Sequence, residues 1–485
     1  MSRTRIHFIH TNDLHSHFER WPQTVTQIKR LKQSFEDKNE SYLLVDLGDH
    51  MDRSHVITEG SLGEANIDLM NQLKYDYVTI GNNEGITFAK DQIERLYQKA
   101  HFSILVSNLK YQDNSEPPWL KPSTIHTING KKIGLIGATI NFDPFYQLLG
   151  WKIEDPFETI KKQVNILRDQ VDLLVVLSHM GLHNDELLAQ QVKEIDIILG
   201  AHTHHLIEKG LQVGSCMINQ AGRSGENIGQ VTIEWEDEHR VIIAQCIPTE
   251  KNELDESTRT QLHSWHERAL DSLNESVTYL DQELEAAWHV ESSCTNLLAE
   301  GLKNWCKTSI SMVNSGQILE HLHSGQITKG DLLRVCPHPI NPCIVKLSGK
   351  EIWDILQRSL DMELQQKILK GFGFRGKIMG MLSIDGLEVE YTHLSPAERV
   401  ITHIEVKDQG KPIELEAEYD VATIDMFTFN PIIPEIHRAK QVKFFLPEFL
   451  RDVLANRLKQ GQIQTAFEKR WKCIEDNGGE SNEIY

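Results

Sequence analysis

Five apolar runs in the first 205 residues each break off into a short polar block built from Asp, His and Asn. Ile6–Ile9 leads to Asp13-Leu14-His15, and Tyr42–Leu47 leads to Gly48-Asp49. Tyr77–Ile80 leads to Gly81-Asn82-Asn83-Glu84. Val171–Leu177 leads to Ser178-His179-Met180-Gly181, and Ile195–Leu199 leads to His202-Thr203-His204. Helical periodicity fills Trp21–Phe35, Glu64–Leu73, Ala89–Ala100, Phe157–Asp169 and Asp185–Val192, with further strand-like runs at Ile104–Ser107 and Lys132–Ile136. The alternation predicts a layered α/β domain. The unbroken apolar character of Val171–Leu177 predicts a strand buried on both faces. In such sheets ligands bind beyond the carboxyl ends of the strands, where all five blocks fall.

Asp13, His15, Asp49, Asn82, His179, His202 and His204 together form a ligand set for two divalent metals. A carboxylate such as Asp49 can bridge two ions, and the Asn82 amide oxygen is a neutral ligand. The mixed N/O set suits Mn, Zn, Fe or Co better than Ca or Mg. Each residue alone is unremarkable, since a lone His is usually a surface or core residue and an Asp after a strand is usually a helix cap. Five such blocks in order, each ending a strand, point to one site. Two ions close together clamp a phosphate and convert bound water to hydroxide at neutral pH, so the chain reads as a metal-dependent phosphoesterase.

Charge sharpens this reading. The 50 basic and 70 acidic side chains give −20, a surface that repels nucleic acid and anionic lipid, so neither is expected as a partner. A small phosphorylated substrate would meet the same repulsion, so bound cations must reverse the sign locally. No apolar run approaches the roughly 20 residues of a membrane span, and no leader-like segment opens the sequence. The 7 Cys are scattered and contain no C-x-x-C pair, which suits reduced thiols. A cytoplasmic protein, monomeric or weakly self-associating, is the expectation.

At 485 residues the chain exceeds one hydrophobic core. The expected organisation is a metal domain over residues 1–250, a polar linker helix within 251–285, a substrate domain over 286–476 and a flexible tail at 477–485. An equally ordinary reading makes the helix the first of the second domain. That domain mixes helices (Ser293–Lys307, Lys350–Leu360, Leu446–Lys459) with strands (Ile344–Leu347, Leu387–Tyr391, Ile401–Val406, Glu418–Ala422).

The opening His10-Thr11-Asn12-Asp13-Leu14-His15-Ser16-His17, the ligand blocks, and Gln220-Ala221-Gly222-Arg223-Ser224-Gly225 resemble the calcineurin-like metallophosphoesterases, specifically the two-domain bacterial 5′-nucleotidase family. Asn314-Ser315-Gly316 and Leu347-Ser348-Gly349 resemble landmarks of that family's C-terminal domain. The resemblance implies a four-layer α/β sandwich followed by a smaller α+β substrate domain, the two rotating relative to each other to deliver substrate. It implies that Asp13, His15, Asp49 and His204 hold one metal, and that Asp49, Asn82, His179 and His202 hold the other. It implies a phosphomonoesterase acting on nucleotides by in-line attack of a metal-bound hydroxide. Cyclic nucleotide phosphodiesterase and nucleotide-sugar pyrophosphatase activities use the same ligand set, and a non-catalytic nucleotide- or metabolite-binding protein is the reading from another class.

The sequence departs from the family pattern at several positions. The family's transition-state dyad, a His and an Asp, is here Asn83 and Ile86. Asn83 is the remaining catalytic candidate, able to offer an N–H to a phosphate oxygen but no proton to the leaving group. His17, His50, His55, His183 and His205 lie near the blocks, each with an ordinary surface reading. In the second domain the family's arginine is Leu319, while its two base-stacking Phe become His338 and Met426, with Phe427 beside it. Asn314, His338, Arg375, Met426 and Phe427 are thus the substrate-side candidates. Gly371-Phe372-Gly373-Phe374-Arg375-Gly376-Lys377 is either an ordinary surface turn or a loop supplying a substitute ring and an anion contact.

Overall fold

The computed structural model describes residues 3–236, 239–395 and 398–474, and the chain divides into two compact units that part at Ser272 and Leu273. The expected tail at 477–485 lies outside the described residues.

The first unit is built on two sheets. Arg3–Thr11 pairs in parallel with Ser41–Asp46, which pairs in parallel with Tyr77–Val78. On its other side Arg3–Thr11 pairs antiparallel with Asn227–Glu236. In the second sheet Leu173–His179 lies between Lys131–Thr139 and Ile197–Gly200, all parallel. Side chains that alternate along a strand sort to opposite faces. Ile6, Phe8, Leu43 and Val45 from one sheet therefore meet Ile133, Leu135, Leu173, Val175, Ile197 and Leu199 from the other in one core. The even positions Ile136, Leu174, Val176 and Ile198 face the opposite way, onto Ile160 and Val164 of the helix Pro156–Leu167. That is why Leu173–His179 is buried at every residue and shows no polar alternation. Helix Trp21–Asp37 covers the outer face of the first sheet, completing a helix–sheet–sheet–helix sandwich. Each fully buried Val, Leu or Ile contributes roughly 1.5–3 kcal/mol, so the two sheets form a stiff base for the loops at their ends.

The expected linker helix is shorter than 251–285 and belongs to the first unit. It spans Glu256–Leu273. Gln261 Nε2 and Trp265 Nε1 both donate to Asp68 Oδ2, at 2.8 and 2.9 Å. Ala269 comes so close to Gly60 that a Cβ there would lie 2.7 Å away. Leu262, Ala269 and Leu273 form a buried stripe that the surrounding charge conceals in the sequence. Ser276–Leu280, expected within the linker, is instead a strand paired with Gly325–Thr328 in the second unit.

The second unit has a five-stranded sheet ordered Leu382–Asp385, Ile310–Asn314, Glu418–Ile424, Pro342–Ser348, Val442–Phe444, and a four-stranded sheet containing Leu387–Ser395 and Glu398–Val406. Helices Ser293–Cys306, Gly349–Ser359 and Leu450–Lys459 contribute to its core. The last starts later than expected, beyond Pro447: Phe449 is its N-cap, and the Phe449 N–H donates to Asp452 Oδ2 at 2.8 Å. A buried ion cluster ties its elements together: Arg470 Nη2 reaches Glu300 at 2.6 Å and Asp385 at 3.1 Å, and Arg457 Nη2 reaches Glu300 at 2.8 Å.

Candidate metal centre

The parallel strands of both sheets aim their carboxyl ends at one place. Asp13 and His15 follow Arg3–Thr11, Asp49 follows Ser41–Asp46, and Asn82 and Asn83 follow Tyr77–Val78. His179 ends Leu173–His179, and His202 and His204 follow Ile197–Gly200. The loops turn sharply: Asp13, His15, Asp49, His202 and His204 all have positive φ, between 48° and 75°. Non-glycine residues hold that conformation at a cost, which concentrates at functional sites.

Two groups among the described residues bring their ligand atoms within 4.8 Å of one another: Asp13, His15 and His204, and Asp49, His179 and His202. In the first, His15 Nε2 and His204 Nε2 face each other at 3.0 Å, and Asp13 Oδ1 lies 3.5 Å from His204 Nε2. In the second, Asp49 Oδ1 lies 3.4 Å from His179 Nε2. The other oxygen of the same carboxylate, Asp49 Oδ2, is 3.8 Å from His15 Nε2, so Asp49 spans both groups.

Among the candidate ligands, two buried side-chain atoms have no hydrogen-bond partner. They are Asn82 Oδ1 and His179 Nε2, whose approach to Asp49 lacks hydrogen-bond geometry. The ring of His179 is already oriented, because its Nδ1–H donates to Leu47 O at 2.7 Å and turns the Nε2 lone pair inward. An orphaned ring nitrogen 3.4 Å from the buried Asp49 carboxylate, with a second orphaned atom, Asn82 Oδ1, on the loop that Asp49 contacts, fits a cation, and the donor set of imidazole, carboxylate and amide oxygen could hold divalent ions of the Mn, Zn, Fe or Co type. A proton and a metal ion compete for this place. Burial opposes charge on both partners, yet the carboxylate of Asp49 raises His179 to about 10, while His179 holds Asp49 well below the carboxylate range. Desolvation, then the neighbouring positive ring, lower the half-buried His202 to about 4.

Several residues that build this centre were given no role from the sequence. Glu84 accepts from the backbone N–H groups of Gly81, Asp49 and Met51 at 2.8, 2.9 and 2.9 Å, clasping two ligand loops. Burial, then the Asp49 carboxylate, raise its own pKa to about 7. A Glu three residues after a helix-opening Gly is a capping spacing, a signal present in the sequence. Gly48 and Gly81 let the loops touch: a Cβ on Gly81 would fall 2.0 Å from Asp49 Oδ1. Asn12 Nδ2 donates to Asp13 Oδ2 at 2.8 Å and to Gly222 O at 2.7 Å, fixing Asp13 against the Ala221-Gly222 turn. Asp185 accepts from Ser178 Oγ and Gln220 Nε2 beneath the loop carrying His179. Its signal is only an acid in an apolar setting, visible once folded.

Asn83 stands beside His15, its amide hydrogens engaged within the chain. Its Nδ2 donates to Met51 O and lies on His15 Nδ1, both at 2.9 Å, and its backbone N–H donates to Asp49 Oδ1 at 2.8 Å. In this arrangement the amide joins His15 to the Met51 carbonyl. Of the nearby histidines, His50 is buried against Asn66, His55 caps a helix by accepting from Ile57 N, and His17 pairs with Glu19. His205 faces solvent beside Thr203.

The substrate-side residues also depart from expectation. Met426 and Phe427 are fully buried in the core of the second unit, because the strand Glu418–Ile424 runs straight into it, so neither presents a face for a base. Asn314 is buried, donating to Met379 O at 2.7 Å and accepting from Gln317 Nε2 at 2.9 Å. His338 is buried too: Nε2–H donates to Gln317 O at 3.0 Å, and Nδ1 accepts from Arg375 N at 2.9 Å. Its ring stacks on Phe374 at 5.0 Å and 15°. Arg375 alone of the five is partly open to solvent.

Comparison with known proteins places this geometry. The calcineurin-like phosphoesterase profile matches residues 6–206, and that of the 5′-nucleotidase C-terminal domain matches residues 274–430. The uncharacterized metallophosphoesterase YunD of Bacillus subtilis is 40% identical over 464 residues, covering 94% of this chain and 100% of that protein. The 5′-nucleotidase of Mus musculus is 24% identical, covering 73% of this chain and 71% of that protein. A putative 5′-nucleotidase from Staphylococcus aureus shares the fold with a TM-score of 0.68 at 15% identity, covering 97% of this chain and 100% of that one. The NAD nucleotidase of Haemophilus influenzae does so with a TM-score of 0.66 at 15% identity, covering 98% and 100%.

Proposed function

Because the chain belongs to the calcineurin-like phosphoesterases that carry a 5′-nucleotidase C-terminal domain, and is a hydrolase of phosphoester bonds, we propose that its substrate is a nucleotide phosphomonoester. In this reading Asp13, His15, Asp49 and His204 hold one divalent ion, and Asp49, Asn82, His179 and His202 hold a second. Two such ions would draw charge from a phosphate and activate a water for in-line displacement.

The observation that carries the reading is the Asp49 carboxylate, whose two oxygens reach both candidate ligand groups, with the partnerless His179 Nε2 at 3.4 Å. The remaining residues position. The Leu47 carbonyl fixes the tautomer of His179, Glu84 holds the Asp49 and Gly81 loops at one spacing, and Asn83 backs His15. Neither Asn83 nor Ile86 can hand a proton to the leaving oxygen. Turnover is then limited to leaving groups that depart without one, or to a rate about 10²–10³ below that of a site with the donor.

The test is phosphate release by the Mn²⁺-treated protein from nucleoside monophosphates, cyclic nucleotides, nucleotide sugars and sugar phosphates. A nucleoside monophosphate turned over, with the rate abolished by chelator and by Asp49→Ala, is the expected result. Release confined to cyclic nucleotides or nucleotide sugars replaces the substrate class. A flat panel with two ions bound would sink the nucleotidase reading in favour of a binding protein.

A further inference from the structure

From Leu364 to Ile384 the chain carries four cations and no acid, in a protein whose formal charge is −20. The structure folds the middle of this stretch into a short hairpin. Met379 N donates to Lys367 O at 2.9 Å, Ile368 bridges Ile378, and Leu369 N donates to Lys377 O at 3.3 Å. The tip closes with Phe374 N on Gly371 O at 3.0 Å. Both central residues of that turn have positive φ, 52° at Phe372 and 79° at Gly373. A β-turn with both central residues in the left-handed region favours Asn followed by Gly, since Asn enters that region at little cost and a bulky side chain does not.

Here the first position is Phe. No other Phe, Tyr or Trp among the described residues has a positive φ, and this ring is 52% exposed. Nothing in the turn requires it, because the anchoring falls to its neighbours. Phe374 stacks on His338, the Arg375 N–H is held by His338 Nδ1, and a Cβ on Gly373 would lie 2.5 Å from Pro339 O. The tip is thus a fixed base carrying a strained, solvent-facing aromatic ring, with exposed Lys370 and Lys377 on its two arms. Neither lysine is in an ion pair among the described residues. An unfavourable conformation kept at an exposed site marks function over stability.

We propose that this hairpin tip recognises the nucleotide: Phe372 stacks on the planar base, while Lys370 and Lys377 meet its negative charge. A flat apolar ring beside unpaired cations matches a ligand that joins a flat ring to an anion, and stacking tolerates any base. The inference rests on the nucleotidase reading and names the element that would select the substrate.

The test uses the Mn²⁺-loaded full chain with AMP and ribose 5-phosphate, comparing wild type, Phe372→Asn, Phe372→Trp and the double change Lys370→Gln, Lys377→Gln. Phe372→Asn supplies the residue the turn prefers, so its melting temperature should hold or rise. Its KM for AMP should rise about tenfold with kcat unchanged, and its KM for ribose 5-phosphate should stay within twofold. Phe372→Trp should keep the wild-type KM for AMP. The double lysine change should raise KM for both substrates and flatten its dependence on salt. Unchanged KM for AMP in Phe372→Asn overturns the proposal, as does equal loss on both substrates or turnover of ribose 5-phosphate but not AMP. If neither substrate yields phosphate, the nucleotidase reading fails on its own, and calorimetric binding of AMP decides the hairpin. Tenfold weaker binding by Phe372→Asn upholds it, and equal or absent binding overturns it.

Discussion

Replacing Gly81 by Ala should disable the metal centre without touching a ligand. Gly81 has φ −94° and ψ −175°, a conformation that Ala adopts freely, so no backbone strain accompanies the change. The added methyl group is the whole perturbation. It would sit 2.0 Å from Asp49 Oδ1 and 2.5 Å from Asp49 N, whereas ordinary contact begins near 3.4 Å. Either the Asp49 carboxylate or the Gly81 loop must therefore give way by about 1.4 Å. Neither moves cheaply, since Glu84 clasps both loops through their backbone N–H groups. A displacement of about 1 Å at reacting groups commonly costs about 10²-fold in rate, and disturbed support of a ligand costs about 10–100-fold in metal affinity. Gly81→Ala should thus lower both Mn²⁺ affinity, by calorimetric titration, and kcat by about two orders of magnitude. Gly130→Ala, where the methyl meets nothing within 4 Å, serves as the control that should lose stability but keep its metal. Wild-type affinity and turnover in Gly81→Ala would refute the argument that Asp49 is held by contact with this loop.

Three further outcomes follow from the same geometry. Asn83→Ala removes the amide from His15 and should weaken metal binding about 10–100-fold, whereas unchanged affinity would return Asn83 to a direct role with substrate. Phe427→Ala opens a cavity in the second unit and should cost about 3–5 kcal/mol by denaturant titration; a stable variant with a raised KM would mean that the ring meets substrate after all. Burial lowers His338 to about 3, so the fold favours its neutral form. Its contribution is complete above the ordinary value near 6.5 and is lost as pH falls from there toward 3, at up to about 1.4 kcal/mol per pH unit. His338→Gln should flatten the acid limb of the melting curve, and an equally steep limb would exclude this group as its source.

The first unit was legible because its signals are local. A run such as Val171–Leu177 needs two apolar faces, which only a sheet between layers provides, and the polar blocks fall where such strands end. The helix Glu64–Leu73 agreed with its periodicity at both ends. The second unit was legible in its elements but not in its substrate side. Met426 and Phe427 are hydrophobic in any context, and only the packing of Glu418–Ile424 decides that they face inward. Asn83 illustrates the same limit at close range. Its position in the block is plain, yet whether its amide meets substrate or His15 depends on a loop 68 residues away in sequence. Glu84 had a readable spacing, but its grip on Asp49 and Met51 joins segments that no window along the chain contains.

The candidate ligands come from both sheets of the first unit: Asp13, His15, Asp49 and Asn82 from one, His179, His202 and His204 from the other. An ion seated among them would be a rivet through the sandwich as well as a reagent. The protein's resistance to proteases would then track metal supply, and a metal-starved cell would clear the idle enzyme faster than the loaded one. Limited proteolysis with and without chelator measures this directly, and identical digestion rates would show that the sheets hold together without the ion.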